Sequence, residues 1–400
     1  MKIQEIAIGT IRIPLVTPFR TALRTVDSIN DLIVKITADD GSVGFGEAPP
    51  TAVITGDTKE SIEAAIRGYL APAVVGMELQ NLDEIMRRME KAIAKNTSAK
   101  AAMDIALYDL YAKMLGKPLY RVLAKEAAGR SIDTCTSVNK MDDLTNPAEK
   151  VLEQENVSCT SAELETDITI SVDETEKMVS DSLRAVADGV GMLKVKVGKG
   201  GEKDVERVRA IRQAVGPDVI LRVDANQGWT KEEEIATIRA MEDAGLGIEL
   251  VEQPVSYHDF HGLQSVTKAV NTPILADESV FSYEDAQRII EEHAADLINI
   301  KLMKTGGIHQ ALRICDLADR YQVKCMVGCM LESKVSVSAG VHLAAARSCI
   351  TMADLDGPSL CAEDPYEGGP VYRGPKIFLN EESGIGITRV PVEFACVARA

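Results

Sequence analysis

Several signals that would announce a membrane, nucleic-acid or secreted protein are absent from this chain of 400 residues. It has no run of about 18 or more apolar residues, the length at which a membrane-spanning helix is considered. The start lacks the basic and apolar regions of a secretory signal, so we expect a cytoplasmic protein. Positive charge is scarce, because 44 Lys and Arg face 61 Asp and Glu, for a formal charge of −17. A field of that sign repels nucleic acid and anionic lipid, and we expect neither as a partner.

Nucleotide-binding loops and paired cysteines are also missing. No glycine-rich G-x-G-x-x-G sequence follows a predicted strand and no P-loop occurs, which argues against dinucleotide and nucleoside triphosphate binding. The eight cysteines include no C-x-x-C pair, and Cys325 and Cys329 fall in a strand-like apolar run. We therefore expect reduced thiols rather than disulfides or a zinc site.

The second half of the chain carries a repeating pattern in which β-branched runs alternate with amphipathic stretches. The predicted strands cover residues 168–172, 192–197, 219–223, 248–251, 274–276, 297–300, 323–327 and 349–353. Apolar strands joined by helical crossovers indicate a parallel sheet, and eight such units fit a closed barrel better than an open sheet. We predict an α/β fold of the TIM type, a (β/α)7β barrel, over residues 164–364.

The first part of the chain has a different pattern of apolar and polar residues. Residues 3–15 and 31–37 alternate like antiparallel strands around a turn at Asp39-Asp40-Gly41, and helical patterns follow over 58–71, 81–94 and 98–115. These patterns predict an N-terminal α+β capping domain over residues 1–130. We expect the C-terminal segment, 365–400, to return to this domain.

Two segments, 131–138 and 165–172, compete for the place of the first barrel strand. We favour the second, because the helical pattern after it leads directly into the next strand. Residues 131–163 are then an insertion or linker between the two domains.

Charged residues stand at the carboxyl ends of the predicted barrel strands. They are Lys194, Lys196, Asp224, Glu252, Asp277, Lys301, Asp354 and Asp356. In β/α barrels these ends form the active-site face, so residues far apart in sequence meet at one mouth. A lone Asp at a strand end is usually an ordinary surface or ion-paired residue, but one acidic residue on each of three consecutive strands points to a shared site.

Three of these acidic residues, Asp224, Glu252 and Asp277, predict a metal site. Their carboxylates would repel one another unless a cation lay between them, and carboxylate oxygens are the ligands that hard divalent cations prefer. We expect Mg²⁺, with Mn²⁺ as a possible substitute.

The lysines predict proton transfer. Lys194 and Lys196 share one face of a strand, because side chains alternate with a period of two. Like charges and a nearby metal are expected to lower a lysine pKa toward the value that a general base needs. Lys301 lies roughly across the barrel, so Lys196 and Lys301 could act on opposite faces of a carbanion next to a metal-held carboxylate.

With this set of residues the chain resembles the enolase superfamily, specifically its muconate lactonizing enzyme-like subgroup, over nearly its whole length. Asp354-Leu355-Asp356 is similar to the Asp-x-Asp with which the dipeptide epimerases of that subgroup bind an α-ammonium group. The resemblance implies a Mg²⁺-dependent isomerase that epimerises the C-terminal residue of a dipeptide such as L-Ala-D/L-Glu. It further implies a dipeptide and copies of the same chain, in a homo-oligomer, as partners.

The resemblance also implies substrate contacts for Lys194, for Lys334 near the substrate carboxylate, and for Arg24 with loop 51–56 near the side chain being epimerised. Arg24 would suit an acidic side chain. Cycloisomerisation or syn-dehydration, of the muconate cycloisomerase or o-succinylbenzoate synthase type, is the alternative reaction. A barrel retained as a binding or scaffold protein is a third reading, against which the complete lysine and carboxylate set argues.

Overall fold

The structure is a computed structural model that describes residues 1–21, 24–129, 163–198, 200–230 and 232–400. The candidate first strand at 131–138 and almost all of the predicted insertion lie outside the described residues.

An antiparallel sheet opens the chain. Its first three strands are β1 (Ile3–Arg20), β2 (Thr25–Ala38) and β3 (Val43–Ala48), and each pairs with the next in antiparallel fashion. The β2–β3 turn lies at the predicted Asp39-Asp40-Gly41, where Gly41 takes a φ of 87° and the Asp40 carboxylate accepts a hydrogen bond from the Ser42 N–H. The predicted antiparallel strands are thus confirmed.

Helices pack on this sheet. They are α1 (Lys59–Ala65), α2 (Ala71–Val74), α3 (Leu82–Ala92), α4 (Thr97–Met114) and α5 (Leu119–Gly129), with a π-helical segment at Ile66–Leu70 and a 3-10 turn at Leu79–Asn81. The alanine-rich α4 is buried on nearly all sides. It lies so close to β3 that a Cβ on Gly46 would fall 1.9 Å from the Ala102 carbonyl oxygen, which only glycine avoids.

The barrel follows a short strand, β4 (Glu163–Glu165). Its eight strands are β5 (Ile168–Ile170), β6 (Met192–Lys196), β7 (Ile220–Asp224), β8 (Ile248–Glu252), β9 (Ile274–Ala276), β10 (Leu297–Lys301), β11 (Cys325–Gly328) and β12 (Ile350–Asp354). They form one sheet in chain order, and all neighbouring pairs are parallel. The Asp167 N–H donates to the Ala353 carbonyl at 3.3 Å, and this contact joins the first strand to the last.

Helices connect all successive barrel strands. They are α6 (Thr175–Ala187), α7 (Gly201–Val215), α8 (Glu234–Asp243), α9 (Phe260–Ala269), α10 (Tyr283–Glu291), α11 (Leu302–Thr305), α12 (Ile308–Tyr321) and α13 (Lys334–Ala346), and a short α14 (Gly357–Leu360) follows β12. The predicted TIM-type (β/α)7β fold is confirmed, and β5 lies within the favoured of the two candidate first strands.

The C-terminal part adds small antiparallel pairings. Its strands are β13 (Glu367–Gly368), β14 (Val371–Arg373), β15 (Lys376–Phe378), β16 (Ile387–Arg389) and β17 (Ala395–Arg399). β17 pairs with β1 at the edge of the capping sheet, whereas β15 pairs with β4 beside the barrel. The exact domain boundaries remain predictions. Across the described residues, no helix combines the length and hydropathy needed to cross a bilayer.

Candidate active site

The charged residues predicted at the strand ends converge in one buried cluster. None of the predicted residues in this cluster is more than 6% exposed. They are Lys194, Lys196, Asp224, Glu252, Asp277, Lys301, Asp354 and Asp356. Strand register explains the convergence, since Lys196 pairs with Asp224, and Asp224 with Glu252, across parallel neighbours. Parallel strands place their carboxyl ends at the same edge, so the barrel carries these side chains to one mouth.

Lys194 joins the two sides of this cluster. Its Nζ lies 2.6 Å from Asp354 Oδ2, 2.7 Å from Glu252 Oε2 and 3.2 Å from Asp224 Oδ2. Burial by itself would lower the pKa of Lys194, but the surrounding carboxylates outweigh it and hold that pKa well above its usual value. Lys194 is therefore a fixed positive charge in the cluster.

Lys196 and Lys301 face the cluster from opposite sides. Lys196 ends β6 and Lys301 ends β10, four places apart in the eight-stranded order and so half a turn around the barrel. Lys196 Nζ lies 2.5 Å from Asp224 Oδ2, and Lys301 Nζ lies 2.6 Å from Asp277 Oδ2. The structure thus places an amine on each side of the barrel mouth.

The direction of the lysine pKa shifts differs from the sequence-based expectation. Like charges and a nearby metal were expected to lower the pKa of Lys194 and Lys196, but the carboxylates of the protein raise the pKa of Lys194, and the pKa of Lys301 is raised as well. For Lys301 burial is the largest single effect and acts downward, but the carboxylates of Asp277, Glu252 and Asp354 together outweigh it. The reason is that carboxylates outnumber ammonium groups around both residues.

The carboxylates of the cluster divide into two kinds. Burial, reinforced by Asp224, raises the pKa of Glu252 to about 7. Burial also acts to raise the pKa of Asp277, but Lys301 and Lys304 outweigh it and hold that pKa below its usual value. Glu252 Oε2 and Asp277 Oδ1 are buried and accept no hydrogen bond of good geometry, although an ammonium group lies within 2.7 Å and 2.6 Å of them, respectively. These oxygens retain ligand capacity.

The donor chemistry of the cluster fits a hard divalent cation. Its six carboxylates, those of Asp224, Glu252, Asp277, Glu278, Asp354 and Asp356, face the four ammonium groups of Lys194, Lys196, Lys301 and Lys304. The formal charge of these ten residues is −2, which one divalent cation offsets. As the side chains stand, no group of three His, Cys, Asp or Glu residues in the described ranges is arranged to hold a metal ion. Lys194 lies between Asp224 and Glu252, so binding requires these side chains to rearrange.

Sequence reasoning missed several residues that hold the carboxylates. Asn299 donates from Nδ2 to Glu252 Oε1 at 2.8 Å. Lys304, which is fully buried, places Nζ 2.6 Å from Asp277 Oδ1 and donates to the Asn299 carbonyl at 2.9 Å. The period of two that places Asn299 on the same strand face as Lys301 could have identified Asn299. Lys304 lies beyond the strand, and no comparable signal marks it.

A strained turn positions Asp277. Gln253, which follows Glu252, has a φ of 37°, a left-handed conformation that non-glycine residues seldom adopt. Its side-chain Oε1 accepts hydrogen bonds from the backbone N–H groups of Asp277 at 2.9 Å and Ser279 at 3.1 Å. The end of β8 thus fixes the segment that follows β9. Strain of this kind is concentrated at functional sites.

A cleft between the barrel mouth and the capping domain opens onto the cluster. The barrel contributes Lys196, Asp277, Lys301, Asp354 and Asp356 to its lining, and the capping domain contributes Arg24, Val53 and Ile54. Both predicted lysines, the predicted Asp-x-Asp pair and part of loop 51–56 therefore face one space.

The paired carboxylates after β12 differ in environment. Burial would raise the pKa of Asp354, but Lys194, Lys196 and Lys301 together outweigh it and keep that pKa at about 2. Burial, together with the charge of Asp354, raises the pKa of Asp356 to about 6. Asp356 Oδ2 accepts a hydrogen bond from the Thr169 N–H at 2.8 Å. The pair carries negative charge at the wall of the cleft.

The structure places two further residues that were predicted to contact substrate, Arg24 and Lys334, in different cavities. Arg24 lines the cleft, and burial lowers the pKa of its guanidinium. Lys334 does not line it: its Nζ lies 2.7 Å from Asp364 Oδ2, beside a neighbouring cavity. The structure brings Arg24 to the site but not Lys334, because Lys334 begins α13 and its side chain is directed toward Asp364.

The sequence matches two family profiles. Residues 4–124 match the profile described as mandelate racemase / muconate lactonizing enzyme, N-terminal domain, and residues 177–390 match the profile described as enolase C-terminal domain-like. The two regions correspond to the capping sheet with its helices and to most of the barrel.

Individual relatives align over almost the whole chain. An L-Ala-D/L-Glu epimerase of Clostridium acetobutylicum is 50% identical over 97% of this chain and 99% of its own length. The structure of a substrate-liganded complex of the L-Ala-D/L-Glu epimerase from Bacillus subtilis has a TM-score of 0.87 at 44% identity, over 97% of this chain and 99% of that one. A dipeptide epimerase from Enterococcus faecalis complexed with Mg and L-Leu-L-Tyr has a TM-score of 0.86 at 38% identity, over 97% and 100% of the two chains. The chain therefore belongs to the mandelate racemase/muconate lactonizing enzyme family of the enolase superfamily.

Proposed function

We propose that this protein is a Mg²⁺-dependent dipeptide epimerase, an isomerase that inverts the Cα of the C-terminal residue of a dipeptide by 1,1-proton transfer. L-Ala-D/L-Glu is the single substrate that we favour. The relatives named L-Ala-D/L-Glu epimerase, at up to 50% identity, support this choice. The Mg-containing dipeptide complex of the Enterococcus faecalis enzyme supports the choice of cation.

One observation carries the proposal: the site residues occupy four quarters of the barrel mouth. Lys196 on β6 and Lys301 on β10 lie half a turn apart. Glu252 on β8 and Asp354 on β12 are likewise half a turn apart, along the other diagonal. A molecule stretched from the metal carboxylates to the Asp354–Asp356 pair would therefore carry an amine on each face. A zwitterionic dipeptide has the matching ends, a carboxylate and an ammonium group.

The residues of the chain then have distinct tasks. Asp354 and Asp356 bind the α-ammonium group of the dipeptide and so fix its direction in the cleft. One of Lys196 and Lys301 removes the proton from Cα while the other delivers a proton to the opposite face. Mg²⁺, held by Asp224, Glu252 and Asp277, would supply electrophilic stabilisation to the substrate carboxylate.

The remaining predicted residues tune this arrangement. Lys194 keeps its positive charge and stabilises negative charge that develops on the substrate carboxylate. Arg24 pairs with an acidic side chain on the residue being epimerised, and Val53 and Ile54 cover the cleft from the capping domain and exclude water. We also propose that Mn²⁺ can substitute for Mg²⁺, and that the enzyme works as a cytoplasmic homo-oligomer.

Hydrogen exchange at the substrate tests the proposal. The enzyme is incubated in deuterated buffer with Mg²⁺ and L-Ala-L-Glu, and proton NMR with mass spectrometry follows the Glu Cα. We expect one deuterium per molecule at that carbon, formation of the L-Ala-D-Glu epimer and retention of all other atoms. EDTA should abolish both, and Mg²⁺ or Mn²⁺ should restore them.

A dipeptide library in the same buffer widens the test to other substrates. Exchange into other dipeptides but not into L-Ala-Glu would change the substrate and leave the reaction standing. No deuterium in any dipeptide, together with turnover of a muconate or a dehydration substrate, would contradict the proposal in favour of the cycloisomerase or syn-dehydratase alternative.

A further inference from the structure

A buried aspartate on α7 connects the loops that follow two active-site strands. Asp204 lies in the first turn of α7 and is fully buried. Its Oδ2 accepts a hydrogen bond from the Gly198 N–H at 2.8 Å and another from the Trp229 Nε1–H at 2.9 Å. Gly198 follows β6, which ends at Lys196, and Trp229 follows β7, which ends at Asp224. One carboxylate oxygen therefore joins the loop after a proposed base to the loop after a proposed metal ligand.

The two loops also contact each other directly. The Val197 N–H donates to the Asp224 carbonyl at 2.9 Å and continues the pairing of β6 with β7. A Cβ on Gly198 would lie 2.3 Å from the Ala225 carbonyl oxygen, so the two backbones approach as closely as glycine allows. A displacement of the Gly198 segment would therefore also move the backbone that carries Asp224.

Metal binding changes the partners of the side chains at this place, which makes a fixed backbone important. Lys196 Nζ lies 2.5 Å and Lys194 Nζ 3.2 Å from Asp224 Oδ2. A cation bound at this oxygen would repel both ammonium groups, so the side chains must move. The backbones must nevertheless keep their places, since a misplacement of about 1 Å can cost about 100-fold in rate. Asp204 bonds to the loops after both strands and can hold these backbones while the side chains move.

The chemistry of the Asp204 carboxylate suits this task. Hydrogen bonds to an ionised acceptor are about twice as strong as those between neutral groups. Arg207, on the same helix, lies 2.8 Å from the other oxygen, Oδ1, and compensates the buried charge. Trp229 is 4% exposed and is the only tryptophan of the chain. Its indole fluorescence therefore reports on the bond to Asp204 without interference from a second tryptophan.

We propose that Asp204 is a positioning residue that fixes Lys196 and Asp224 relative to each other through the loops after β6 and β7. This inference rests on the proposed function, because it concerns the Lys196 side of the proton transfer. Lys301 ends β10, half a turn around the barrel. Loss of the Asp204 carboxylate should therefore disturb proton transfer on the Lys196 face more than on the Lys301 face.

Isotope exchange on each face tests this inference. In single turnovers with Mg²⁺ in deuterated buffer, Cα exchange is measured separately for L-Ala-L-Glu and L-Ala-D-Glu. Asp204→Ala should slow exchange at least about tenfold for the epimer that Lys196→Ala affects first, and at most about threefold for the other. Asp204→Asn, whose side-chain oxygen can accept both hydrogen bonds, should restore most of the rate. The matched control Arg207→Ala removes only the partner of Oδ1 and should leave both rates unchanged.

Fluorescence examines the connection independently of activity. With selective excitation of Trp229, Asp204→Ala should shift the emission to longer wavelength and increase quenching by acrylamide, whereas Arg207→Ala should do neither. Trp229→Phe removes one of the two donors and keeps an aromatic ring. It should slow exchange on the same face by a smaller factor, and it provides the test if Asp204→Ala fails to fold.

The outcomes separate this inference from the proposed function. Equal slowing for both epimers, or no slowing in folded Asp204→Ala and Trp229→Phe proteins, would overturn the inference and leave the reaction standing. If the wild-type protein exchanged no dipeptide proton, the proposed function would fail, and calorimetric titration with Mg²⁺ would decide the positioning of Asp224. Asp204→Ala should weaken Mg²⁺ binding by about tenfold, and an unchanged affinity would overturn the inference.

Discussion

The two ends of the same barrel strands are built in opposite ways. The first residues of β6, β7, β8 and β10 are apolar and partly exposed, and they are Met192, Ile220, Ile248 and Leu297. The last residues of these strands are charged and buried, and they are Lys196, Asp224, Glu252 and Lys301. Each strand therefore inverts the usual relation between polarity and burial.

This inversion has a free-energy cost. Removing a charge from water costs several kcal/mol even after relaxation, and mutual attraction within a low-dielectric cluster only partly offsets that cost. Leaving an apolar side chain exposed at the other end of the strand forgoes a smaller free energy, that of burying its apolar surface. Folding alone would favour the reverse arrangement, so the buried charges indicate a site that binds and reacts.

The largest effect should come from the two amines. Lys196→Ala and Lys301→Ala should each lower kcat for epimerisation by about 1,000-fold or more, since each removes the acid or base for one face. Circular dichroism should show the native fold. Single-turnover exchange in deuterated buffer should differ between the variants. One variant should first lose exchange of the Cα proton of the L-Glu epimer, and the other should first lose that of the D-Glu epimer.

The exposed Lys203 of α7 serves as the matched control, and Lys203→Ala should leave kcat unchanged. If Lys196→Ala or Lys301→Ala unfolded the protein instead of inactivating it, the charges of the carboxyl end would be structural and the contrast between the two ends would fail.

A pair of substitutions on β7 compares the two ends directly. Asp224→Asn should lower kcat/KM by at least about 100-fold at fixed Mg²⁺, because it removes a proposed metal ligand. Ile220→Thr, at the other end of the same strand and 38% exposed, should leave kcat/KM unchanged. Calorimetric titration with Mg²⁺ should show weaker binding for Asp224→Asn only, and equal losses in both variants would contradict the assignment.

The Asp354–Asp356 pair should affect binding of the ammonium end. The double variant Asp354→Asn/Asp356→Asn should lower kcat/KM for L-Ala-L-Glu by about 100-fold, since charge-assisted hydrogen bonds to the substrate are lost. It should discriminate less between the free dipeptide and its N-acetyl derivative, which lacks the positive charge. An unchanged preference for the free dipeptide would exclude these residues as the ammonium site.

Arg24 should influence substrate choice more than rate. Arg24→Met should lower kcat/KM for L-Ala-L-Glu by about tenfold, as expected for the loss of a charged hydrogen bond, and change it less for L-Ala-L-Leu. Equal losses with the two substrates would indicate that Arg24 supports the loop rather than the acidic side chain.

His342 provides a buried titratable group away from both strand ends. Burial lowers its pKa from 6.5 to about 4, and its Nδ1 accepts a hydrogen bond from the Tyr120 N–H at 3.1 Å. Between these pH values the unfolded chain binds a proton that the native protein does not. The contribution of neutral His342 to the free energy of unfolding is therefore complete above pH 6.5 and is lost as pH falls toward 4.

Denaturant unfolding at pH 7 and pH 4 measures this contribution. The wild-type free energy of unfolding should fall by roughly 3 kcal/mol more than that of His342→Asn, whose amide oxygen can also accept from Tyr120. An equal fall in both proteins would show that other groups carry the acid sensitivity.

Periodicity in the sequence determines much of this protein. Apolar runs bounded by charges were sufficient to predict eight parallel strands and to place Lys196, Asp224, Glu252 and Lys301 at their carboxyl ends, because strand direction and a period of two are local properties. Resemblance to the family then assigned roles to these residues and directed attention to Arg24, which does line the cleft.

Only the tertiary structure decided which charges meet. Lys194 contacts Asp354 from 160 positions away, Lys304 reaches Asp277, and Lys334 is directed to Asp364 instead of the cleft. The upward pKa shift of Lys194 depends on the same long-range packing. Electrostatic interactions depend on distances in space, and closure of the barrel sets those distances between residues whose spacing along the chain carries no record of them.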